Sequence, residues 1–135
     1  EQICIHVGAS LTVGSFFLGN IISKFEEKNP KIRIRVYVDN SKDIIQKIID
    51  GTLDIAVIEG LVNSKDIISH EVYQDEMVLI CGKNHPFASK KSIQLSDLKG
   101  KDCVLREDGS GTRDFLINNG TQGNTNYKKM GVPQL

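Results

Sequence analysis

The sequence lacks an excess of either charge, and this absence narrows its possible partners. Lysine plus arginine and aspartate plus glutamate each number 17 in 135 residues, so the formal net charge is zero. A nucleic-acid-binding domain usually carries a clustered basic surplus, which makes this chain alone a poor DNA binder. No apolar run approaches the length of a membrane span, and the amino terminus lacks a basic region followed by a long apolar stretch. We therefore expect no membrane partner.

Cysteine and histidine are scarce and scattered. The three cysteines, Cys4, Cys81 and Cys103, include no Cys-x-x-Cys pair and no cysteine–histidine cluster at zinc spacing. Cysteines inside apolar runs usually behave as small buried hydrophobes, so we expect a reduced, cytoplasmic protein without a metal or other cofactor. The histidines stand in no recognised catalytic pattern with a carboxylate or a serine, and we expect no enzyme.

What the sequence does contain is a regular alternation of apolar patterns. Strand-like runs at 2–8, 31–38 and 53–60 alternate with helical patterns at 15–28 and 41–50. This order predicts an α/β fold with an open, mostly parallel sheet flanked by helices. Apolar patterns in the later part of the chain predict three more strands, at 68–73, 76–82 and 102–107. They also predict two helices, one near 95–99 and one that opens at 108–112 and runs to about 118.

The loop GASLTVG at 8–14 joins the first predicted strand to the first predicted helix. It fails as a nucleophile elbow because Thr12 stands where glycine is required, and as a Walker loop because no lysine follows Gly14. The loop then offers free N–H groups at a helix start, which favour an anionic or strongly polar ligand. Ser10 and Thr12 add hydroxyl groups to that site. Helix capping alone stays open as the alternative for either residue.

A second loop, DNS at 39–41, follows the second predicted strand and opens on the same edge of the sheet. Ligands of open α/β sheets bind outside the carboxyl ends of the strands, which makes Asn40 and Ser41 candidates alongside a capping role. Glu59 follows the third strand. It either reaches the cleft, contacts the other lobe or is solvated.

A third loop, REDGSGTRDF at 106–115, is rich in glycine. Gly109 and Gly111 allow a close approach of the backbone to a ligand, while Ser110 or Thr112 caps the following helix. Arg113 either offers its fork of donors to a carboxylate or lies on the surface. Two or three helix starts with hydroxyl groups and few fixed charges therefore converge on one cleft, and this convergence predicts binding.

Together these motifs, GASLTVG, GTLDIAVIEG and VLREDGSGTR, resemble the effector-binding domain of LysR-type transcriptional regulators, in order from about Ile3 to Arg113. The resemblance implies a periplasmic-binding-protein-like (type 2) fold with a small polar or anionic effector between two lobes. It implies ligand contacts from Ser10, Thr12, Asn40, Ser41, Gly111 and Thr112. DNA would be bound only through a helix-turn-helix domain outside this chain. A solute-binding protein of a transport system shares the architecture and is the alternative.

The resemblance also divides the chain. Residues 1–81 correspond to the first α/β lobe, largely present, and residues 82–117 to the start of a partial second lobe. The tail at 118–135 is rich in Asn, Gly and Thr, reads as loop or poorly ordered chain, and does not resemble the family's continuation. An incomplete lobe leaves apolar strand edges without partners, so we expect a homo-oligomer.

Overall fold

The computed structural model describes residues 2–120 and 127–129. Three parallel strands form the main sheet in the order β2-β1-β3, with bounds β1 (Ile3–Ala9), β2 (Ile32–Val38) and β3 (Ile55–Val57). The connections are helical, α1 (Leu11–Phe16), α2 (Leu18–Lys28) and α3 (Ser41–Ile49). This arrangement confirms the predicted α/β fold with an open parallel sheet.

Helix α3 begins and ends where its sequence indicates. The Asn40 side chain accepts a hydrogen bond from the Asp43 N–H over 3.0 Å, which satisfies one of the donors that a helix start leaves unpaired. After the helix, Gly51 adopts φ +76°, a conformation that favours glycine. The Asp50 carboxylate accepts bonds from the hydroxyl and the N–H of Thr52, and these bonds hold the pKa of Asp50 below its ordinary value.

The central strand β1 is covered on both faces. On one face Val7 and Ala9 are buried and form a cluster with Leu18 of α2. On the other face a Cβ added to Gly8 would lie 2.5 Å from Leu53 Cδ1 and 2.8 Å from Ile44 Cγ2. Glycine at position 8 therefore lets α3 approach the strand closely. The core lies along the carboxyl half of β1.

The first helical region differs from the single helix predicted at 15–28. It starts at Leu11 and divides at Phe17, whose φ of −112° and ψ of −43° separate α1 from α2. A Cβ on Gly14 would lie 2.7 Å from Val38 Cγ2, so the small residue brings α1 against the end of β2. The predicted loop at 8–14 is therefore mostly the first turn of a helix.

The prediction of strands at 68–73 and 76–82 is wrong. The chain from 61 to 82 forms no helix or strand, and several of its apolar side chains are exposed, including Ile68 at 88% and Ile80 at 86%. An alternating pattern becomes a strand only when a neighbouring strand supplies hydrogen bonds. Among the described residues no strand pairs with this segment.

The remaining elements follow residue 85. Two 3₁₀ turns lie at Pro86–Ser89 and Leu95–Leu98, and the regular elements are β4 (Cys103–Leu105), α4 (Gly111–Gly120) and β5 (Tyr127–Lys129), with β5 parallel to β4. The expectation of loop structure in the tail is wrong for the end of α4 and for β5, because β4 offers a pairing partner that composition cannot reveal. The rest of the tail, 121–126 and 130–135, lies outside the described residues. Across the described part of the chain, no helix is long and apolar enough to cross a membrane.

Candidate functional site

The carboxyl ends of the three parallel strands lie side by side. Ala9, Val38 and Val57 are register partners, so the residues after them emerge at one edge of the sheet. Main-chain hydrogen bonds close this edge, since the Ser10 N–H donates to the Val57 carbonyl and the Asp39 N–H donates to the Ala9 carbonyl, each over 3.1 Å. The first two predicted site loops therefore begin next to each other.

Ser10 occupies the cap position of α1, yet its side chain does not cap the helix. Its backbone is extended (φ −66°, ψ 162°), its carbonyl accepts from the Gly14 N–H over 2.8 Å, and its side chain makes no capping bond. The residue is only 2% exposed, and its Oγ is buried with no hydrogen-bond partner among the described residues. Thr12 lies half-buried in the first turn of the same helix. Ser10 is thus a buried hydroxyl with unused donor and acceptor capacity.

Asn40 and Ser41 lie at the start of α3, beside the end of β3. Asn40 is the cap of this helix, so the capping interpretation holds for its side-chain oxygen. Ser41 is buried, and its hydroxyl donates to the Glu59 carbonyl over 3.4 Å. Both side chains therefore have structural partners in this conformation, and Ser41 ties α3 to the chain that follows β3.

The glycine-rich loop before α4 packs on the same edge. The Lys42 N–H donates to the Gly109 carbonyl over 3.1 Å, and a Cβ on Gly109 would lie 3.3 Å from Asn40 Oδ1. A Cβ on Gly111 would lie 2.9 Å from the Glu59 carbonyl carbon and 3.1 Å from Ser41 Oγ. The close approach that we predicted for these glycines is made here to the protein's own backbone.

The structure thus brings together most of the predicted site residues. Asn40, Ser41 and Gly111 lie in one contact region, and Ser10 lies at the same edge one strand away. Thr12 and Thr112 are each half-buried, in the first turn of α1 and of α4. The two threonines lie near this contact region because each is in the first turn of a helix that begins there.

Charged side chains beside the glycine loop form a network that the sequence pattern did not identify. Arg106 donates to both carboxylate oxygens of Glu107, from Nε over 2.9 Å and from Nη2 over 2.7 Å. This pairing raises the pKa of Arg106, with a smaller contribution from the negative charge of Glu59, and it lowers the pKa of Glu107. The contacts that the structure gives to Glu59 are those of its carbonyl group, which accepts from the Ser41 hydroxyl, so the alternatives for its side chain stay predictions.

Arg113 completes this network. Its side chain, 17% exposed, donates to the Arg106 carbonyl over 3.0 Å and pairs with Asp108 over 3.1 Å. The guanidinium groups of Arg106 and Arg113 both bind other protein groups, so the prediction that Arg113 lies on the surface is wrong. The only signal in the sequence was the density of charged residues around the glycines, which does not indicate which residues pair.

The groups that could bind a ligand at this edge are mainly hydroxyl groups and main-chain N–H and carbonyl groups. No cluster of three or more histidine, cysteine or acidic side chains with metal-binding geometry occurs in the described residues. The imidazole Nδ1 of His6, in the middle of β1, lies 3.5 Å from the carboxylate of Asp54, the residue before β3. A shallow depression between α2 and β2, near Glu26 and Arg33, lies at the opposite edge of the sheet. Helix starts thus gather at the carboxyl edge of a parallel sheet, which is where open α/β sheets generally bind their ligands.

Comparison with known proteins identifies the family of the chain. Residues 4–131 match the LysR substrate binding domain, and the chain belongs to this family. Because the match includes residues 118–131, the expectation that the tail does not resemble the family's continuation is wrong for that part of it. Among curated relatives, the transcriptional regulator CysL of Bacillus subtilis is 30% identical over 112 residues, which is 83% of this chain and 38% of CysL. The chain thus spans about two fifths of that relative's length.

Solved structures agree in fold. The effector-binding domain of QuiR in complex with shikimate matches with a TM-score of 0.81 at 22% identity, covering 96% of this chain and 64% of that domain. The regulatory domain of CcmR from Synechocystis PCC6803, in complex with 2-PG, matches with a TM-score of 0.74 at 23% identity, covering 95% of this chain and 61% of its own. The periplasmic-binding-protein-like fold expected from the sequence is therefore confirmed.

Proposed function

We propose that this chain is the effector-sensing part of a cytoplasmic, non-enzymatic bacterial transcription regulator of the LysR type. Its ligand is a small polar or anionic molecule, bound at the carboxyl edge of the sheet by Ser10, Thr12, Asn40, Ser41, Gly111 and Thr112. The regulator contacts DNA through a helix-turn-helix domain outside these 135 residues. The observation that carries the proposal is the buried hydroxyl of Ser10 at this edge, which has no hydrogen-bond partner within residues 2–120 and 127–129.

The energetic argument starts from that hydroxyl. A buried polar group without a partner costs about 1–3 kcal/mol of stability. A ligand oxygen or nitrogen placed against Ser10 Oγ would offset this cost, so binding and the native fold favour the same arrangement. Neighbouring main-chain N–H groups at the starts of α1 and α3 favour a negative charge or a strong dipole.

The relatives of this chain favour a transcription regulator over the alternative, a solute-binding protein of a transport system. Both classes use this architecture, but the curated relative CysL is a regulator, and the matched QuiR and CcmR structures are effector-binding or regulatory domains. Shikimate and 2-phosphoglycolate, the molecules bound by those two proteins, are small anions. They are therefore the first probes for this chain.

Calorimetric titration with a panel of small carboxylates and phosphate esters, including these two, tests the ligand class. For an anion that binds, Ser10→Ala should weaken the affinity about tenfold, the value of one hydrogen bond to a charged group. The variant should be as stable as the wild type or more stable, because it removes an unsatisfied buried hydroxyl. Ser23→Ala, at an exposed position of α2, is the matched control. Equal affinities of the two variants, or no binding across the panel, would contradict the proposal.

We also propose that the protein self-associates. The segment from 61 to 82 exposes apolar side chains without regular structure, among them Val72 at 79% and Val78 at 66%. Exposed apolar surface of this kind marks association sites. Light scattering should give a mass above the 15.0 kDa of one chain, and a monomer at micromolar concentration would contradict the expectation.

A further inference from the structure

The amino end of α3 is covered by residues 107–111, here named the glycine strap. The Lys42 N–H, which has no partner inside the helix, donates to the Gly109 carbonyl over 3.1 Å. The next amide, that of Asp43, is taken by the Asn40 side chain over 3.0 Å. Acceptors from the protein therefore occupy the helix start at which the proposed ligand would bind.

A second contact anchors the strap on the chain that follows β3. Gly111 is buried against Glu59, and Gly60, with φ +92°, is close enough that its added Cβ would lie 3.3 Å from the Gly111 Cα. Any side chain at position 111 would overlap the Glu59 carbonyl group. The strap can dock in this way only because position 111 carries no side chain.

The strap is also held from its own side. The Ser110 N–H donates to the Glu107 carbonyl over 3.3 Å, which closes the turn, and Gly109 has φ +90° within it. Arg113 of α4 binds both the Arg106 carbonyl and the Asp108 carboxylate. These bonds shape the strap without help from α3.

From these contacts we infer that the glycine strap is a closing device at the proposed binding site. In the closed state it occupies the Lys42 amide and covers Asn40 and Ser41, and it is released before a ligand reaches them. The competition follows from geometry, because one N–H group forms one strong hydrogen bond at a time. This inference rests on the proposed function for the identity of the competitor, whereas the docking of the strap is independent of any ligand.

Amide hydrogen exchange of the full chain, followed by NMR, tests the docking. Gly111→Ala should raise the exchange rate of the Lys42 amide about tenfold or more, while the Ile44 amide, bonded to the Asn40 carbonyl, changes less than about twofold. The matched control is Gly19→Ala, where an added Cβ meets nothing within 4 Å. An unchanged Lys42 rate in Gly111→Ala would overturn the inference.

Two further measurements keep the test decisive. If circular dichroism shows that Gly111→Ala does not fold, Gly109→Ala replaces it, since its Cβ would lie 3.1 Å from Lys42 Cβ at a positive φ. The binding measurement uses Gly109→Ala, because Gly109 is not among the proposed ligand contacts: for an anion that binds the wild type, this variant should tighten the dissociation constant about threefold or more, since the open state is more populated. Weaker binding in the variant would overturn the competition. If no anion binds, the proposed function fails, and the exchange data still decide whether the strap docks.

Discussion

Replacing Ile44 by alanine tests how the sheet and α3 are held together. Ile44 is the largest fully buried side chain among the described residues, with 0% exposure, and its Cγ2 packs against the backbone of β1 at Gly8. The substitution removes three carbon atoms from this contact. At about 0.8 kcal/mol for each buried CH₂ group, the transfer free energy lost is about 2.4 kcal/mol.

The cavity that remains adds to this loss. Isoleucine-to-alanine substitutions in cores cost about 2–5 kcal/mol in total, and the helix propensity of alanine returns only about 0.4 kcal/mol. We therefore expect the free energy of unfolding to fall by about 3 kcal/mol. Chemical denaturation followed by circular dichroism measures this change, as a lower midpoint with an unchanged slope.

Ile49→Ala is the matched control, because it makes the same chemical change in the same helix at a residue 43% exposed. Its cost should stay below about 1 kcal/mol. If Ile44→Ala leaves too little folded protein, Ile44→Val should still cost about 0.5–1.5 kcal/mol. Equal losses for the two alanine variants would refute the packing of α3 on β1 described above.

Two other variants test neighbouring features. Gly8→Ala should cost about 1–3 kcal/mol, because its methyl group overlaps Leu53 and Ile44, whereas Gly19→Ala should cost nothing; equal denaturation midpoints would contradict this. Arg106 lowers the pKa of Glu107, so the pair stabilises the fold above the ordinary glutamate pKa, and this stabilisation is lost as the pH falls through the lowered value. Glu107→Gln should therefore flatten the fall of the midpoint below about pH 4.3, and a profile identical to that of the wild type would argue against the pairing.

The first 60 residues show what local patterns can predict. The apolar alternation of β1 and β2 and the stripe of α3 indicated a parallel α/β unit, because each pattern matches the period of its own element. The segment at 68–82 carries a similar alternation and forms no strand. A strand depends on hydrogen bonds from a neighbour, and the presence of that neighbour is not encoded in the segment itself.

The candidate site could also be predicted only in part. Parallel topology placed Ser10, Asn40 and Ser41 at one edge, since all strands of such a sheet end together. The sequence did not distinguish capping from binding, and the structure separates the two cases: Asn40 caps α3, while the Ser10 hydroxyl has no partner in the described residues. The contacts Lys42–Gly109 and Glu59–Gly111 join residues more than 50 positions apart, and no spacing rule indicates such pairs.

The bond between Lys42 and Gly109 uses main-chain atoms alone. Any residue except proline at position 42 can therefore form this hydrogen bond. A side chain at position 111, by contrast, would break the neighbouring contact with the Glu59 carbonyl group. Substitution at position 42 can therefore change the charge beside the proposed binding site, while the main-chain contact between α3 and the glycine strap is kept.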